Sequence, residues 1–377
     1  MGVNNVRKLL VLLTCLLLPA HAFAKGDLVD VQKRTLVLKD FRLQNGEVLP
    51  EVTIAFETYG DLALDGRNAI LLTHGYTNSQ KAAGAYPGEK PSGSWNEYVG
   101  PGKVIDTDKV FVVSANMLGS SWGSTSPAFT NPKTGKPYGP DFPDITVVDI
   151  INTQYQLLQH LGVKHLIAVV GASYGGYQAF QWSVSYPDFV DGIVPVVSAP
   201  HPSPTTGNQQ DLDDLVKRLS EDPNWNGGDY YAKGGVLGTT TQMRIETLKE
   251  YGIEQQLIKQ FPEEAAREAE IQRQAEVWAR AFDANSLIVL KRAEVRWSVL
   301  EQLKAVKAKV LYVLISSDKV FPPSSIAKNV MDKMKSAGVD AEYLLVESDL
   351  GHIGYAREAG KIGPKIRELL ARLAPNR

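Results

Sequence analysis

Two segments near the start of the chain alternate apolar and polar residues. Residues 34–43 and 51–60 follow this pattern on either side of an Asn45-Gly46 pair. Alternation with a period of two predicts strands with one buried and one exposed face, and Asn-Gly is typical of a tight hairpin turn. The sequence therefore predicts an antiparallel hairpin at the start of the fold.

Later segments are almost wholly apolar, which is typical of strands buried on both faces of a parallel sheet. These runs cover residues 69–73, 110–114, 166–170, 193–197, 309–315 and 343–347. Helical patterns between or after them cover residues 145–161, 177–186 and 356–373. Strands that alternate with helices after an antiparallel start predict an α/β fold with a mostly parallel, doubly wound sheet.

The strand pattern disappears between residues 198 and 297. Three helices are predicted there, interrupted by glycine and proline residues, at 211–220, 240–251 and 253–282. A helical insertion after a central strand is expected to lie over the sheet as a cap. We therefore expect a core in two parts with a cap between them, divided as core 25–200, cap 201–296 and core 297–377.

The first 24 residues have the features of a cleavable signal peptide. Arg7 and Lys8 precede an apolar run over residues 9–19, and a small-x-small cleavage site ends at Ala24. The apolar run is too short for an ordinary membrane-spanning helix. We expect a periplasmic or secreted protein with no stable membrane insertion after cleavage. Cleavage would also remove Cys15, the one cysteine of the chain, so no thiol chemistry is expected.

The charge balance excludes one large class of function. The formal net charge is −2, and it becomes −4 when the signal peptide with its two basic residues is removed. A chain that binds nucleic acid normally shows a strong basic excess. We expect no nucleic-acid partner.

The segment Gly171-Ala172-Ser173-Tyr174-Gly175 follows one buried run and leads into a helical pattern. Strand, Gly-x-Ser-x-Gly and helix in this order predict a nucleophile elbow, a tight turn that exposes the serine hydroxyl above the sheet. A glycine-rich turn that only connects a strand to a helix has the same local pattern. In a nucleophile elbow, the backbone N–H of Tyr174 would stabilise an oxyanion at the helix N-terminus.

Partners for Ser173 are expected beyond the carboxyl ends of the parallel strands, where active sites of such sheets form. Asp318 follows the fifth buried run, and His352 follows the sixth with a glycine before it. Serine, aspartate and histidine in this chain order are typical of one kind of catalytic triad. We predict Ser173 as nucleophile, His352 as general base and Asp318 as the acid that orients it. Asp349 competes with Asp318 for that role but lies only three residues before His352.

The loop after the first buried run is the candidate second oxyanion donor. It reads His74-Gly75-Tyr76, and the glycine permits close approach to Ser173. We predict the backbone N–H of Tyr76 as the donor; losing one such donor costs about 3 kcal/mol of transition-state stabilisation. His74 is expected to fix the loop and not to act as a base.

Motifs along the rest of the chain are similar to those of one acyl-transfer family. They are Gly100–Lys103, Ala115–Gly119, Gly135–Pro143, Asp222–Tyr231, Phe282–Ser286 and Phe321–Pro323. With the elbow, they make the chain resemble the α/β-hydrolase superfamily and, within it, the homoserine O-acetyltransferase family. The resemblance implies the α/β-hydrolase fold, a triad of Ser173, Asp318 and His352, and an acyl-enzyme that is passed to a hydroxyl acceptor. It also implies a homodimer formed through the cap.

Three features depart from the family pattern. The elbow has Ala172 and Tyr174 where the family has glycine and methionine. Ile353 follows the histidine where the family has an aspartate that holds the substrate's amino group, and an apolar side chain cannot pair with an ammonium. The family's carboxylate-binding cap arginine aligns near Thr241, with Arg244 three residues further on.

We therefore predict an exported serine hydrolase that cleaves an ester or related acyl bond of a small molecule. Arg244 and Ile353 are the candidate substrate-binding residues. The alternative is an O-acyltransferase, similar to homoserine O-acetyltransferase, that passes the acyl group to an alcohol. A non-catalytic binding protein is a third hypothesis, which the complete triad disfavours. No cofactor or metal is expected, because no histidine and carboxylate cluster has ligand spacing.

Overall fold

The computed structural model describes residues 26–373, so the predicted signal peptide and Cys15 lie outside the described residues. The strands of this part of the chain are β1 (Arg34–Arg42), β2 (Val48–Tyr59), β3 (Ala69–Thr73), β4 (Val99–Gly100), β5 (Ile105–Asp106), β6 (Phe111–Ala115), β7 (Leu166–Ala172), β8 (Val190–Val196), β9 (Lys309–Ile315) and β10 (Ala341–Val346). Eight of them form one sheet in the order β1-β2-β6-β3-β7-β8-β9-β10, and β4 pairs with β5 alone.

The main sheet is mostly parallel, as the sequence predicts. Strands β1 and β2 form the predicted antiparallel hairpin, in which Arg34 pairs with Phe56 and Arg42 with Val48. Strand β2 is also antiparallel to β6, and the other neighbours in this sheet are parallel. Strands β3, β6 and β7 are buried along their whole length, which explains their continuous apolar sequence.

Helices cover both faces of the main sheet. The α-helices of residues 26–373 are α1 (Val147–His160), α2 (Tyr174–Ser185), α3 (Gln209–Ser220), α4 (Leu237–Glu250), α5 (Ile253–Leu257), α6 (Glu264–Ala279), α7 (Ala284–Val295), α8 (Pro323–Ser336) and α9 (Ala359–Leu373). One face packs against α1, α2 and α8, and the other against α9 and the loop segment 82–99. This is the predicted doubly wound arrangement. In the described part of the chain, no helix has both the length and the apolar character needed to cross a membrane.

Helices α3 to α7 lie between β8 and β9, where the sequence predicts the cap. The predicted helix over 253–282 is two helices, α5 and α6, separated at Pro262. Helix α7 is absent from the sequence prediction because it is buried on nearly all sides, so no polar face marks its period. The division at residues 201 and 296 stays a prediction.

Helices α2 and α8 also differ from the prediction. Helix α2 begins at Tyr174, three residues earlier than predicted, because the turn at Ser173 leads directly into it. Helix α8 is also missing from the prediction, and it begins with Pro323 in its first turn, where proline has no lost hydrogen bond. Both helices begin beside predicted site residues.

Candidate active site

Ser173 lies at the tip of the turn between β7 and α2. Its φ of 57° and ψ of −123° are strained for a residue other than glycine. Gly171 and Gly175 make the turn feasible: a Cβ at Gly171 would lie 2.3 Å from the Gly175 carbonyl oxygen, and a Cβ at Gly175 would lie 2.3 Å from that of Thr73. The turn has the geometry that the sequence predicts for a nucleophile elbow.

Asp318 and His352 meet beyond the carboxyl ends of β9 and β10. His352 Nδ1 donates to Asp318 Oδ2 at 2.9 Å, and both side chains are fully buried. The other carboxylate oxygen accepts the backbone N–H groups of Val320 at 2.8 Å and Phe321 at 3.2 Å. This carboxylate holds the His352 proton on Nδ1, so Nε2 is the basic nitrogen.

Ser173 and His352 share two aromatic neighbours. The His352 ring lies 4.7 Å from the ring of Tyr251 and 5.9 Å from that of Phe321, measured between centroids. Tyr251 and Phe321 also line a pocket of about 20 Å³ at Ser173, which we call the serine pocket. Within residues 26–373 the His352 ring bonds to Asp318 and not to the serine hydroxyl. Such catalytic contacts often tighten only when substrate binds.

The two predicted oxyanion donors lie beside Ser173. Tyr174 is the first residue of α2, so its N–H has no partner within the helix. The loop that contains Gly75 lies close to the elbow: a Cβ at Gly75 would be 3.7 Å from the Ser173 Cβ. Tyr76 follows Gly75, and its ring stacks on that of Tyr174 with centroids 6.1 Å apart. Both segments can therefore present backbone N–H groups to one oxyanion.

His74 fixes the loop that carries Tyr76. Its Nδ1–H donates to the Gly75 carbonyl at 2.8 Å, and its Nε2 accepts the Met117 N–H at 3.2 Å. Burial lowers the pKa of His74 from 6.5 to about 4, so the ring is neutral at pH 7. Both ring nitrogens are engaged, which is consistent with the structural role that the sequence analysis expects.

A larger cavity of about 380 Å³, the cap cavity, lies between the Tyr76 loop and helices α3, α4, α6 and α7. Arg244 lines it, whereas Thr241 does not. The Arg244 guanidinium donates to the Thr77 hydroxyl at 2.9 Å and lies 4.9 Å from the centre of the Trp278 ring. Its buried Nε has no partner, and none of the ion pairs in residues 26–373 includes it. Burial lowers its pKa from 12.5 to about 10, so a cation without an anion faces the cavity.

Ile353 packs against apolar residues of the cap and does not line the cap cavity. Its neighbours come from helices α4, α5 and α6. Its backbone N–H donates to the Tyr251 carbonyl at 3.3 Å, which ties the His352 loop to the end of α4. The side chain thus stabilises the contact between cap and loop, and its predicted contact with substrate stays a prediction.

A buried polar cluster beside Ser173 is absent from the sequence prediction. Lys291 and Glu294 of α7 form an ion pair at 2.6 Å, and Glu294 also accepts the Tyr177 hydroxyl at 3.1 Å. Burial, and then the Glu294 carboxylate, raise the pKa of the Tyr76, Tyr174 and Tyr177 hydroxyls, which therefore stay neutral. The sequence shows a lysine and a glutamate three residues apart, but α7 has no polar face that would mark this pair as buried. In residues 26–373, no group of three or more histidine, cysteine or acidic side chains could hold a metal ion.

Three features together indicate the fold class of this chain. They are the mostly parallel sheet, the strained serine turn, and the buried aspartate–histidine pair at the carboxyl edge of the sheet. The family model described as the alpha/beta hydrolase fold matches residues 68–359. The chain is therefore an α/β-hydrolase-fold enzyme, as the sequence analysis predicts.

Within this class, the chain belongs to the homoserine O-acetyltransferase family. The homoserine O-acetyltransferase of Methanosalsum zhilinae is 35% identical over 361 residues, which cover 90% of this chain and 72% of that protein. The crystal structure of homoserine O-acetyltransferase from Bacillus anthracis is 28% identical with a TM-score of 0.82, covering 90% of this chain and 97% of that one. Esterase E22 is also 28% identical, with a TM-score of 0.81 and coverage of 90% and 100%. Similar proteins thus include both an acyltransferase and an esterase.

Proposed function

We propose that the protein transfers an acyl group from an ester or thioester donor to the hydroxyl of a small acceptor that carries a carboxylate. The observation that carries this proposal is the guanidinium of Arg244 on the wall of the cap cavity, which has an unsatisfied Nε and no ion-pair partner among residues 26–373. The cap cavity and the serine pocket share four lining residues, namely Tyr76, Thr206, Tyr251 and Lys291. An acceptor bound to Arg244 by its carboxylate could therefore extend its hydroxyl toward Ser173. The relatives named homoserine O-acetyltransferase favour transfer over hydrolysis.

Ser173 begins the reaction in this proposal. Its Oγ attacks the acyl carbon while its proton passes to His352 Nε2, and the N–H groups of Tyr76 and Tyr174 stabilise the oxyanion. The bond to the leaving group then breaks as His352 returns the proton to that group. An acyl ester of Ser173 remains. Asp318 orients His352 and stabilises its imidazolium form.

The acceptor completes the cycle by the same chemistry in reverse. Its hydroxyl gives a proton to His352 and attacks the acyl carbon of the Ser173 ester. The second tetrahedral intermediate breaks to form the new ester, and His352 returns the proton to the Ser173 Oγ. Atoms balance without any cofactor, because one acyl group and one proton exchange places.

Hydrolysis of the same acyl-enzyme is the second candidate function. The similarity to esterase E22 supports it. The predicted export also supports it, since acyl-coenzyme A is not expected outside the cytoplasm, and export itself stays a prediction. Water would then attack the Ser173 ester in place of the acceptor hydroxyl.

Partition of one acyl donor between water and an alcohol tests the proposal. p-Nitrophenyl acetate is turned over with increasing concentrations of hydroxy acids, and free acetate and the new ester are both quantified. If the protein transfers the acyl group, the new ester forms in place of free acetate, and its rate of formation saturates as the acceptor concentration rises. Acetate alone at every acceptor concentration would contradict transfer and support hydrolysis. In Ser173→Ala, turnover should fall by roughly 10⁴-fold to 10⁶-fold in either case.

A further inference from the structure

The Lys291–Glu294 ion pair is built into the protein beside the nucleophile, and the mechanism above makes no use of it. Both side chains are buried. The Lys291 ammonium donates to Glu294 Oε2 at 2.6 Å and to the Thr206 carbonyl at 2.9 Å, and it lies 5.2 Å from the centre of the Tyr76 ring. An ammonium has three donors, so one remains for a ligand or for the Tyr76 ring.

The pair lies between the two spaces that the proposed acceptor must occupy. Lys291 lines both the cap cavity and the serine pocket, whereas Glu294 lines only the serine pocket. Arg244 lines the cap cavity, and Ser173 lines the serine pocket. Lys291 is thus one of the residues at the junction through which an acceptor that spans from Arg244 to Ser173 passes.

Charges along this route disfavour a positively charged acceptor group. Both oxygens of Glu294 are engaged, one by Lys291 and the other by the Tyr177 hydroxyl. A substrate ammonium would meet the cations of Lys291 and Arg244 in a site of low dielectric, where repulsion between like charges is strong.

Three other carboxylates line the cap cavity, namely Asp211, Asp214 and Glu250. Asp214 and Glu250 are exposed, and Asp211 accepts the Asn208 N–H at the start of α3. Water screens the attraction of Asp214 and Glu250 for an ammonium more than it screens the repulsion from the buried Lys291 ammonium. The histidine loop adds no carboxylate next to His352, because that position is the apolar Ile353.

We propose that the Lys291–Glu294 pair selects acceptors that carry a carboxylate and a hydroxyl but no ammonium group. Hydroxy acids and N-acylated hydroxy amino acids belong to this class, and free hydroxy amino acids do not. The inference rests on the proposed transfer function and on the same site. The Lys291 ammonium neutralises the Glu294 carboxylate, which is therefore not available to pair with a substrate ammonium.

A panel of three matched acceptors tests this selectivity in the mature enzyme with p-nitrophenyl acetate as donor. 4-Hydroxybutyrate, homoserine and 1,4-butanediol differ in whether they carry a carboxylate and an ammonium. We expect kcat/KM for 4-hydroxybutyrate to exceed that for homoserine by about tenfold or more. Equal use of these two, or a preference for homoserine, would overturn the inference and leave the transfer function standing. No transfer to any of the three would overturn the transfer function itself.

Substitution of Lys291 tests whether the pair causes the selectivity. Lys291→Met leaves the Glu294 carboxylate unpaired, so the ratio of homoserine to 4-hydroxybutyrate use should rise by about tenfold. Lys291→Arg keeps the positive charge and should keep the ratio of the wild type. If Lys291→Met does not fold, Glu294→Gln gives the converse test, because it frees the Lys291 charge and should lower the ratio further. If the pair only stabilises the fold, these substitutions would change the melting temperature and would change the rates with both acceptors by the same factor. An unchanged ratio of this kind would refute the proposal.

Discussion

Burial sets the charge of two side chains at the site in opposite ways. Desolvation lowers the pKa of both Arg244 and His74, to about 10 and about 4 respectively. The guanidinium starts from so high a pKa that it remains a cation at pH 7, while the imidazole becomes neutral. The same physical effect thus leaves a cation on the cap cavity and an uncharged ring that supports the Tyr76 loop.

Replacement of Arg244 tests its proposed role as the carboxylate-binding residue. Arg244→Met removes the charge and keeps an unbranched side chain against Trp278. A lost charged hydrogen bond costs about 1.5–3 kcal/mol, so kcat/KM for 4-hydroxybutyrate should fall by about 10-fold to 100-fold, with a much smaller effect on 1,4-butanediol.

The control for this variant is Arg273→Met, which removes an exposed arginine of α6 that pairs with Glu270. It should leave both acceptors unaffected. If Arg244→Met reduces the use of both acceptors equally, Arg244 does not bind the acceptor carboxylate.

The His74 environment predicts a pH-dependent loss of stability. Unfolded His74 binds a proton below about pH 6.5, but the folded residue does so only near pH 4, so stability falls as the pH drops through this window. The shift corresponds to about 3 kcal/mol. Between pH 7 and pH 4, the free energy of unfolding of the wild type should therefore decrease by that much more than in His74→Gln, measured by urea denaturation. Parallel pH curves for the two proteins would show that the folded imidazole is not held neutral.

The end of α4, in the predicted cap, contacts the loop that carries His352. Gly252, after the end of α4, packs backbone to backbone on the loop that carries His352, and a Cβ at Gly252 would lie 2.9 Å from the Leu350 carbonyl oxygen. Nearby, the Tyr251 carbonyl accepts the Ile353 N–H at 3.3 Å. The position of His352 therefore depends on the position of the end of α4.

Gly252→Ala tests this dependence. Its φ of +89° makes any side chain strained, and the new Cβ would push the His352 loop away. Displacement of a catalytic group by about 1 Å can cost up to about 100-fold, so we expect kcat to fall by about 10-fold to 100-fold.

Gly338→Ala is the matched control, because Gly338 has a φ of +79° but open space around its Cβ position. Both variants should lose stability by about 1 kcal/mol or more through the backbone strain. Only Gly252→Ala should lose kcat; equal activity of the two variants would show that the cap contact does not position His352.

Sequence patterns predict the elements in which apolar and polar positions contrast clearly, or which carry a recognisable motif. Strands β3, β6, β7, β8 and β9 are short apolar runs, and the order of Ser173, Asp318 and His352 along the chain indicates where each lies in the sheet. Helix α7 has no such contrast, since it is buried on nearly all sides. The Lys291–Glu294 pair on α7 was therefore beyond prediction, although lysine and glutamate three residues apart are visible in the sequence. The choice between Thr241 and Arg244 also required the structure, because it depends on which face of α4 meets the cavity.

In the whole fold, the proposed mechanism places the reacting groups on the sheet and the walls of the proposed substrate site on the cap. Ser173, Asp318 and His352 follow strands β7, β9 and β10, whereas Arg244 and Lys291 belong to helices of the cap. This division separates the chemistry from the choice of acceptor. The homodimer through the cap stays a prediction, which sedimentation of the purified protein would test.

The proposed function depends on a covalent acyl-enzyme at Ser173 that an acceptor hydroxyl discharges. Rapid quenching of the purified enzyme with p-nitrophenyl acetate, followed by intact-mass and peptide analysis, detects this species. We predict one added acetyl group on Ser173, which is absent from Ser173→Ala and disappears faster when 4-hydroxybutyrate is present, with formation of its acetyl ester. Turnover without any acetyl group on Ser173, or an acetyl-enzyme whose decay and products do not respond to the acceptor, would rule out this mechanism.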